Sequence, residues 1–583
     1  MSRRFPASVR VMRFLCAALA LAGLMLTAQR ARAADPTSPC PRPAPGSAVP
    51  EPENVRSRDG ELHVDLTVRN GREPDGSVRY CYVLPDGAES PTLRAQPGDL
   101  VVITLHNQLA DLGDSLTPHA HMHVAPPAVG APPDPCTSGA MSAVSTNLHF
   151  HGLTLPPLCH QDEVLQTSVQ PQQTFEYRFR IPPHEPPGLS WYHPHIHGFS
   201  ARQVSGGLSG ALIVEGIERD SPEVRGLAEH VLVIRDQDLL EPDAVVAGSA
   251  AATLVDREGD IMNTGTGEGK PARDLSVNFV PVPFPDYAPA TMVMHPGEQQ
   301  LWRVLNASSV TYLNLAATLR RGARFRAEWL GVVAIDGVPL SANGSPTHGI
   351  QWRDSIALPP GARAEFILTA PPDGVPAALI TRSVDTGPDG ENDPNRTLLN
   401  IVARADAPPN LSVLPTTALP APDAVRPWLG SVAPSRVRKL YFSEDPPDPA
   451  HPTAPLHFYL TVDGQTPTAF DPAQSQPNII VHQGDVEDWI IENRSSEVHD
   501  FHIHQLHFQV VEWLGTAVQE PFLRDTVNVP FYETTMKVYP SVRLRMDFRD
   551  PAIVGTFVYH CHLLDHEDAG MMGTIRVDPA PSH

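Results

Sequence analysis

Short apolar, β-branched runs fill this chain, separated by clusters of Pro and Gly, and long stretches with helical amphipathic spacing are scarce. Apolar residues alternating with polar ones at a period of two mark strands with one buried face. The pattern predicts an all-β protein built from sandwiches. One run recurs. Gly98-Asp99 opens a strand ending at Asn107, Gly297-Glu298 one ending at Asn306, and Gly484-Asp485 one ending at Asn493. In each copy a turn Gly precedes an acid, and the Asn stands eight positions after that acid. Each copy has a partner run further on, at 175–181, 364–368 and 543–548. Three copies of one unit predict three similar domains, at 48–217, 228–405 and 430–579. The Pro-rich stretch 406–429 reads as the linker between the last two. The stretch 241–270, rich in Gly, Ala and Asp, reads as a loop.

Residues 1–33 break the pattern. Arg3, Arg4, Arg10 and Arg13 precede an apolar run from Phe14 to Ala28, and Ala31-Arg32-Ala33 follows. That is the build of a secretory signal peptide. Ser2-Arg3-Arg4-Phe5 also resembles a twin-arginine signal, and the sequence leaves the two export routes open. No later segment is long and apolar enough to span a bilayer. The expected location is therefore exported, periplasmic or extracellular. The net charge of −23 becomes −29 when the leader, with six Arg and no acid, is removed. So acidic a chain does not bind nucleic acid by releasing phosphate counterions. Of the six Cys, Cys16 lies in the leader; Cys40, Cys81, Cys136 and Cys159 predict two disulfides in an exported chain. Three pairings are possible, and Cys40–Cys81 with Cys136–Cys159 closes the shorter loops.

The candidate chemistry centres on His560-Cys561-His562-Leu563-Leu564-Asp565-His566, followed by Gly570-Met571-Met572. Phe557-Val558-Tyr559 before it reads as strand, so His560 and His562 point to one face and Cys561 to the other. One tripeptide can then serve two metal sites back to back, with electrons crossing between them over roughly 10 Å. Cys561, His566 and Met571 supply a thiolate, an imidazole and a thioether. One more His completes the His2Cys set with a weak axial Met that favours electron-transfer copper. Alone, the tripeptide reads equally well as a buried strand carrying a small apolar Cys. The rest of the chain decides. Scattering 26 His over 583 positions gives roughly one His-x-His pair by chance. Here there are pairs at His149/His151, His193/His195, His502/His504 and His560/His562. All lie in the first and last domains. The middle domain has none and reads as a spacer, so the imidazole centre is expected where the outer two meet.

These four clusters, in order and with their internal spacing, resemble the copper motifs of three-domain multicopper oxidases, the family of laccases, bilirubin oxidases and bacterial cuprous oxidases. The resemblance covers nearly the whole chain beyond the leader. It implies three cupredoxin-like Greek-key β-sandwich domains and four copper ions. It places a type 1 copper on His499, Cys561 and His566 with Met571 axial, and a type 2 copper on His149 and His502. A type 3 pair falls to His151, His193, His195, His504, His560 and His562. The departures are Phe150 where Trp is usual, Pro194 between two His, and Asp500 and Gln505 where Pro and Gly are common; none is a ligand. The implied reaction takes single electrons from a donor and reduces O2 to water. That step consumes protons, which calls for a carboxylate relay. The candidates are Asp162 and Glu567, with Asp565 and Asp568 competing for the second place.

Phenols or aromatic amines are the first expectation for the donor, and Cu(I), Fe(II) or Mn(II) the alternative. No Met occurs between Met294 and Met536, which argues against cuprous specialisation, although the flank from Arg202 to Leu212 resembles bacterial members of that branch. A copper-storage or electron-transfer protein is a third reading, and eight His beyond those of the type 1 set argue against it. His119-Ala120-His121-Met122-His123 in a Pro-rich insertion reads either as an extra metal site or as a solvated loop. His106, His160, His184, His197 and His507 fall outside the motifs.

Overall fold

A computed structural model of the protein describes residues 38–581, apart from 74–75, 114–132, 138–140, 245–253, 256–259, 264–266, 322–323, 343–344, 346–348, 411, 417–418, 420–425, 445–456, 473, 475 and 519. The leader and the His119–His123 run lie outside the described residues, as do parts of the 241–270 loop and of 406–429. Strands dominate, and the helices among the described residues are single short turns such as Ser200–Ser205 and Leu564–Asp568. None of them is long and apolar enough to cross a membrane.

The strands form six sheets stacked as three sandwiches. The repeated run explains why there are three. Each copy, Leu100–Gln108, Gln299–Asn306 and Val486–Asn493, sits inside a sheet between a parallel neighbour and its antiparallel partner. The partners are Thr174–Arg180, Arg363–Thr369 and Ser541–Asp547, the runs expected from the sequence. Non-consecutive strands lie side by side in every sandwich, as in a Greek key.

The three conserved features of the repeat do the same work each time. Gly98, Gly297 and Gly484 take φ of +92°, +73° and +103°, open to Gly at no steric cost. The acid that follows closes the turn: Asp99, Glu298 and Asp485 accept the backbone N–H of Gln96, His295 and His482 at 2.8, 3.0 and 3.0 Å. The Asn stands at or next to the strand's end and donates its side-chain amide to two backbone carbonyls. Asn107 donates to Val144 and Val169, Asn306 to Thr311 and Leu358, Asn493 to Glu497 and Val529. A buried carbonyl left without a donor costs about 1–3 kcal/mol, so each Asn holds its sandwich's end loops in place.

Each sandwich has its own apolar core. Trp302 fills the second and Trp489 the third, both fully buried. Burying an aromatic of that size contributes about 1.5–3 kcal/mol. Cys40–Cys81 and Cys136–Cys159 are bonded as expected, with Cα atoms 6.3 and 5.5 Å apart.

Candidate metal centre

Register turns the His-Cys-His alternation into two separate sites. The strand Gly555–Cys561 pairs with His499–Ile503 so that Cys561 lies opposite Phe501, and His560 opposite His502. Cross-strand partners share a face. Cys561 therefore faces the third sandwich's core, and His560 and His502 face out of it. In the first sandwich, His149 lies opposite His193 and His151 opposite Trp191.

On the core side, His499 Nδ1 and His566 Nδ1 stand 3.7 and 3.9 Å from Cys561 Sγ and 3.2 Å from each other. All three side chains are buried. Met571 is buried in the same cluster and is tied by its backbone to two of them: its N–H donates to His566 O, and its C=O accepts from Cys561 N–H. The outer nitrogens are held by oxygens. His499 Nε2 meets Ser495 Oγ at 2.6 Å and Glu444 Oε1 at 3.2 Å, and His566 Nε2 meets Glu497 Oε1 at 3.2 Å. This fixes which nitrogen of each ring faces the sulfur. Asp500 N–H donates to Cys561 Sγ at 3.5 Å. Burial pushes the Cys561 thiol well above its usual range, so a thiolate here needs a cation beside it.

On the other side, eight imidazoles converge where the first and third sandwiches meet. His151, His193 and His562 form one triad of ligand atoms, His195, His504 and His560 a second, and His149, His151 and His502 a third. His560 Nε2 lies 3.4 Å from His195 Nε2 and 3.3 Å from His504 Nε2. The rings of His149 and His504 stack at 3.7 Å, those of His151 and His502 at 3.9 Å. Trp191 stacks on His193 at 4.1 Å and walls the cluster. Burial pushes all the imidazoles down, His560 to about 4 by burial alone; neighbouring rings add to it for the rest, with His193 at about 3 and the others well below their usual value. They are neutral and carry lone pairs. Nε2 of His149, His193 and His502, Nδ1 of His151 and His504, and both nitrogens of His562 are buried without a hydrogen-bond partner. Orphaned neutral donors aimed at one another fit soft-to-borderline metal ions.

Several of the far nitrogens are occupied. His149 Nδ1 lies 2.9 Å from Asp162 Oδ1; His502 Nδ1, His193 Nδ1 and His560 Nδ1 donate to the carbonyls of Asp525, Pro194 and Cys561. Asp162 is pushed up to about 7 by burial, against the backbone N–H of Phe150. It also accepts from Gln505 at 2.5 Å. Gln505 has φ +61°, which accounts for Gly being common at that position. Glu567 is buried with Oε1 accepting from Ser200 Oγ, 3.7 Å from His195 Nε2, and Oε2 3.5 Å from His560 Nδ1. Its rivals are elsewhere: Asp568 accepts the N–H groups of Ser200 and Ala201, and Asp565 lies 3.5 Å from Arg273.

Sequence reasoning missed Asp525, Arg363 and Asp336. The middle sandwich lends no imidazole to these triads, yet it brings Gly361, Arg363 and Asp336 against them. A motif-free Arg and two Asp gave no signal in the sequence, because their partners are remote along the chain. The histidines left out of the motifs have other partners: His184 binds Asp550, His106 lies by Asp65 and Thr174, His160 stacks on Phe175, His197 packs edge-on to Phe470, and His507 donates to Asp336 O.

Comparison with known proteins agrees with this geometry. Two multicopper oxidase family models match, one over residues 141–219 and the other over 447–581. An iron transport multicopper oxidase of Gibberella zeae is 23% identical over 91% of this chain and 78% of its own length. A laccase of Haloferax volcanii is 23% identical over 95% of this chain and 88% of its own. Among solved structures, a multicopper oxidase variant from Aquifex aeolicus superposes with a TM-score of 0.61 at 19% identity, over 91% of this chain and 99% of that one. A metallo-oxidase from Campylobacter jejuni gives 0.60 at 22% identity, over 94% and 98%. The fold they share with this chain is the cupredoxin-like sandwich.

Proposed function

We propose that this chain, a copper-dependent oxidoreductase similar to the multicopper oxidases, is a laccase-like enzyme that oxidises phenols or aromatic amines and reduces O2 to water. The observation that carries the reading is His560-Cys561-His562, whose alternate faces join a thiolate centre to an imidazole cluster through adjacent residues. Four coppers fit the donors. A type 1 copper would be held by His499, Cys561 and His566 with Met571 axial, and a type 2 copper by His149 and His502. The two remaining triads, His151, His193, His562 and His195, His504, His560, would hold the type 3 pair. When bound, copper supplies one-electron oxidation of the donor at the first centre and four-electron reduction of O2 at the second.

The protein's share is binding, orientation and protons. Carbonyls and carboxylates fix the tautomer and aim of His149, His151, His193, His502 and His560. Asp162 holds His149, and Glu567 lies beside His195 and His560; these two carboxylates are the relay we propose for the protons that water formation consumes. Domains at 48–217 and 430–579 carry the ligands, 228–405 lies between them, and 406–429 links the last two. A leader over 1–33 and an exported, periplasmic or extracellular location complete the reading, with no nucleic-acid partner.

A second reading has its own support. Glu444 and Glu497 lie against the outer nitrogens of His499 and His566, and carboxylates next to the electron entry suit a cationic donor such as Fe(II), Cu(I) or Mn(II). Oxygen uptake with a panel of phenols, aromatic amines and these ions separates the two. The laccase-like reading expects the largest kcat/KM with phenols or aromatic amines. Turnover confined to metal ions would overturn it in favour of the metallo-oxidase.

A further inference from the structure

The imidazole cluster has a third wall, and the middle sandwich builds it. Its turn 359–363 runs in between the two ligand-bearing sandwiches. Gly361 sits there at φ +82°, and a Cβ on it would lie 2.9 Å from His562 Nε2 and 3.1 Å from His151 Cε1. Two residues on, Arg363 opens the strand Arg363–Thr369 with its side chain fully buried.

All five guanidinium hydrogens of Arg363 find acceptors in three sandwiches. Nη1 and Nη2 donate to Oδ1 and Oδ2 of Asp525, each at 2.7 Å. Nη1 also reaches Gly361 O at 3.2 Å, Nη2 Asp336 O at 2.8 Å, and Nε Leu189 O at 3.0 Å. Leu189 belongs to the first sandwich, Gly361 and Asp336 to the second, Asp525 to the third. Asp336 closes the loop by accepting the backbone N–H of Arg363 at 2.9 Å and of Asp525 at 3.3 Å. Burying an ion pair this deeply gains little stability over apolar residues of the same size, so what it contributes is the geometry it fixes.

What the pair positions is Asp525. Its Oδ1 lies 3.2 Å from His151 Nε2 and accepts from Thr526 Oγ1 at 2.8 Å. Its backbone carbonyl accepts from His502 Nδ1 at 2.8 Å. One residue thus orients two imidazoles, His151 proposed for the type 3 pair and His502 for the type 2 copper.

We propose that Arg363 is a positioning residue for the oxygen-reducing centre: it clamps Asp525 so that His151 and His502 keep their aim, and it makes docking of the middle domain a condition for retaining the type 2 copper. That copper is the exposed point because only two imidazoles, His149 and His502, hold it, against three for each of its neighbours. The inference rests on the ligand assignment proposed above.

The test uses copper-loaded full-length Arg363→Met, Asp525→Asn and the double variant, followed by copper content, type 1 absorbance, the type 2 electron paramagnetic resonance signal and thermal unfolding. Arg363→Met should keep the type 1 absorbance, change the type 2 signal, and retain that copper about 10–100-fold less tightly, the usual effect of losing a ligand's outer partner. Asp525→Asn should do the same, and the double variant should be little worse than either single one, because the residues act as a unit. A folded Arg363→Met with the wild-type type 2 signal and copper retention would overturn the proposal, whatever its unfolding temperature. If that variant does not fold, Arg363→Lys keeps the charge without the planar fork; an altered type 2 signal is expected, and an unchanged one overturns the clamp. A wild-type protein with no type 2 signal would instead sink the ligand assignment, and this inference with it.

Discussion

A buried histidine with a bare lone pair is costly, and this protein buries a set of them face to face. Each is neutral because burial has driven its protonated form out, and most have the far nitrogen pinned by an oxygen. The converging histidines were legible in the sequence because spacing of two along a strand is itself the geometry. The pinning oxygens were not: Asp525 meets His151 across 374 positions, and nothing local marks it. Asp162 was found, 13 positions from His149. Replacing Asp162 by Asn, whose Oδ1 still accepts from His149 Nδ1, or Glu567 by Gln, should leave the copper sites filled and anaerobic type 1 reduction unchanged while slowing reoxidation by O2 about 100-fold or more. Stopped-flow absorbance after an oxygen pulse reads this directly, and wild-type reoxidation in both variants would remove these residues from the relay. In the sequence Asp500 stands out only as a departure from a common Pro. Its N–H bond to Cys561 Sγ is one that Pro cannot make. Hydrogen bonds to the Cys sulfur tune the potential of such a copper. Withdrawing electron density from the thiolate favours the reduced metal, so Asp500→Pro should lower the type 1 reduction potential, as a redox titration would record.

At the scale of elements, the repeat was readable because three small requirements fall at fixed distances: a positive φ, a turn-closing acid and a strand-ending amide. Each comes from chain geometry, so each leaves a residue behind. What the repeat could not disclose is which loop it holds. In the middle sandwich Asn306 N–H donates to Ala362 O, and Asn306 O accepts from Gly361 N–H, while its side chain anchors Thr311 and Leu358. The turn that walls the imidazole cluster hangs on this one residue. Asn306→Ala should cost about 2–6 kcal/mol by stranding two buried carbonyls, each at about 1–3 kcal/mol. A urea unfolding midpoint unchanged from wild type would contradict that role.

At the scale of the whole molecule, the reading of the middle sandwich as a spacer was the natural outcome of looking for ligands. Without His pairs it offered no chemistry to find, and Gly361 and Arg363 act through packing that only the docked sandwiches create. The architecture follows from an economy of faces. One strand of the third sandwich presents Cys561 to its own core and His560 to its neighbour, so the electron entry and the oxygen chemistry proposed for them are adjacent in sequence and separate in environment. The central claim is that both halves belong to one catalytic cycle ending in water. Its most direct test is the stoichiometry of oxygen consumption during oxidation of a one-electron phenolic donor, with peroxide assayed in the same vessel. The account predicts about four donor molecules oxidised per O2 and no accumulating hydrogen peroxide. About two per O2 with matching peroxide, or donor oxidation without oxygen uptake, would contradict it.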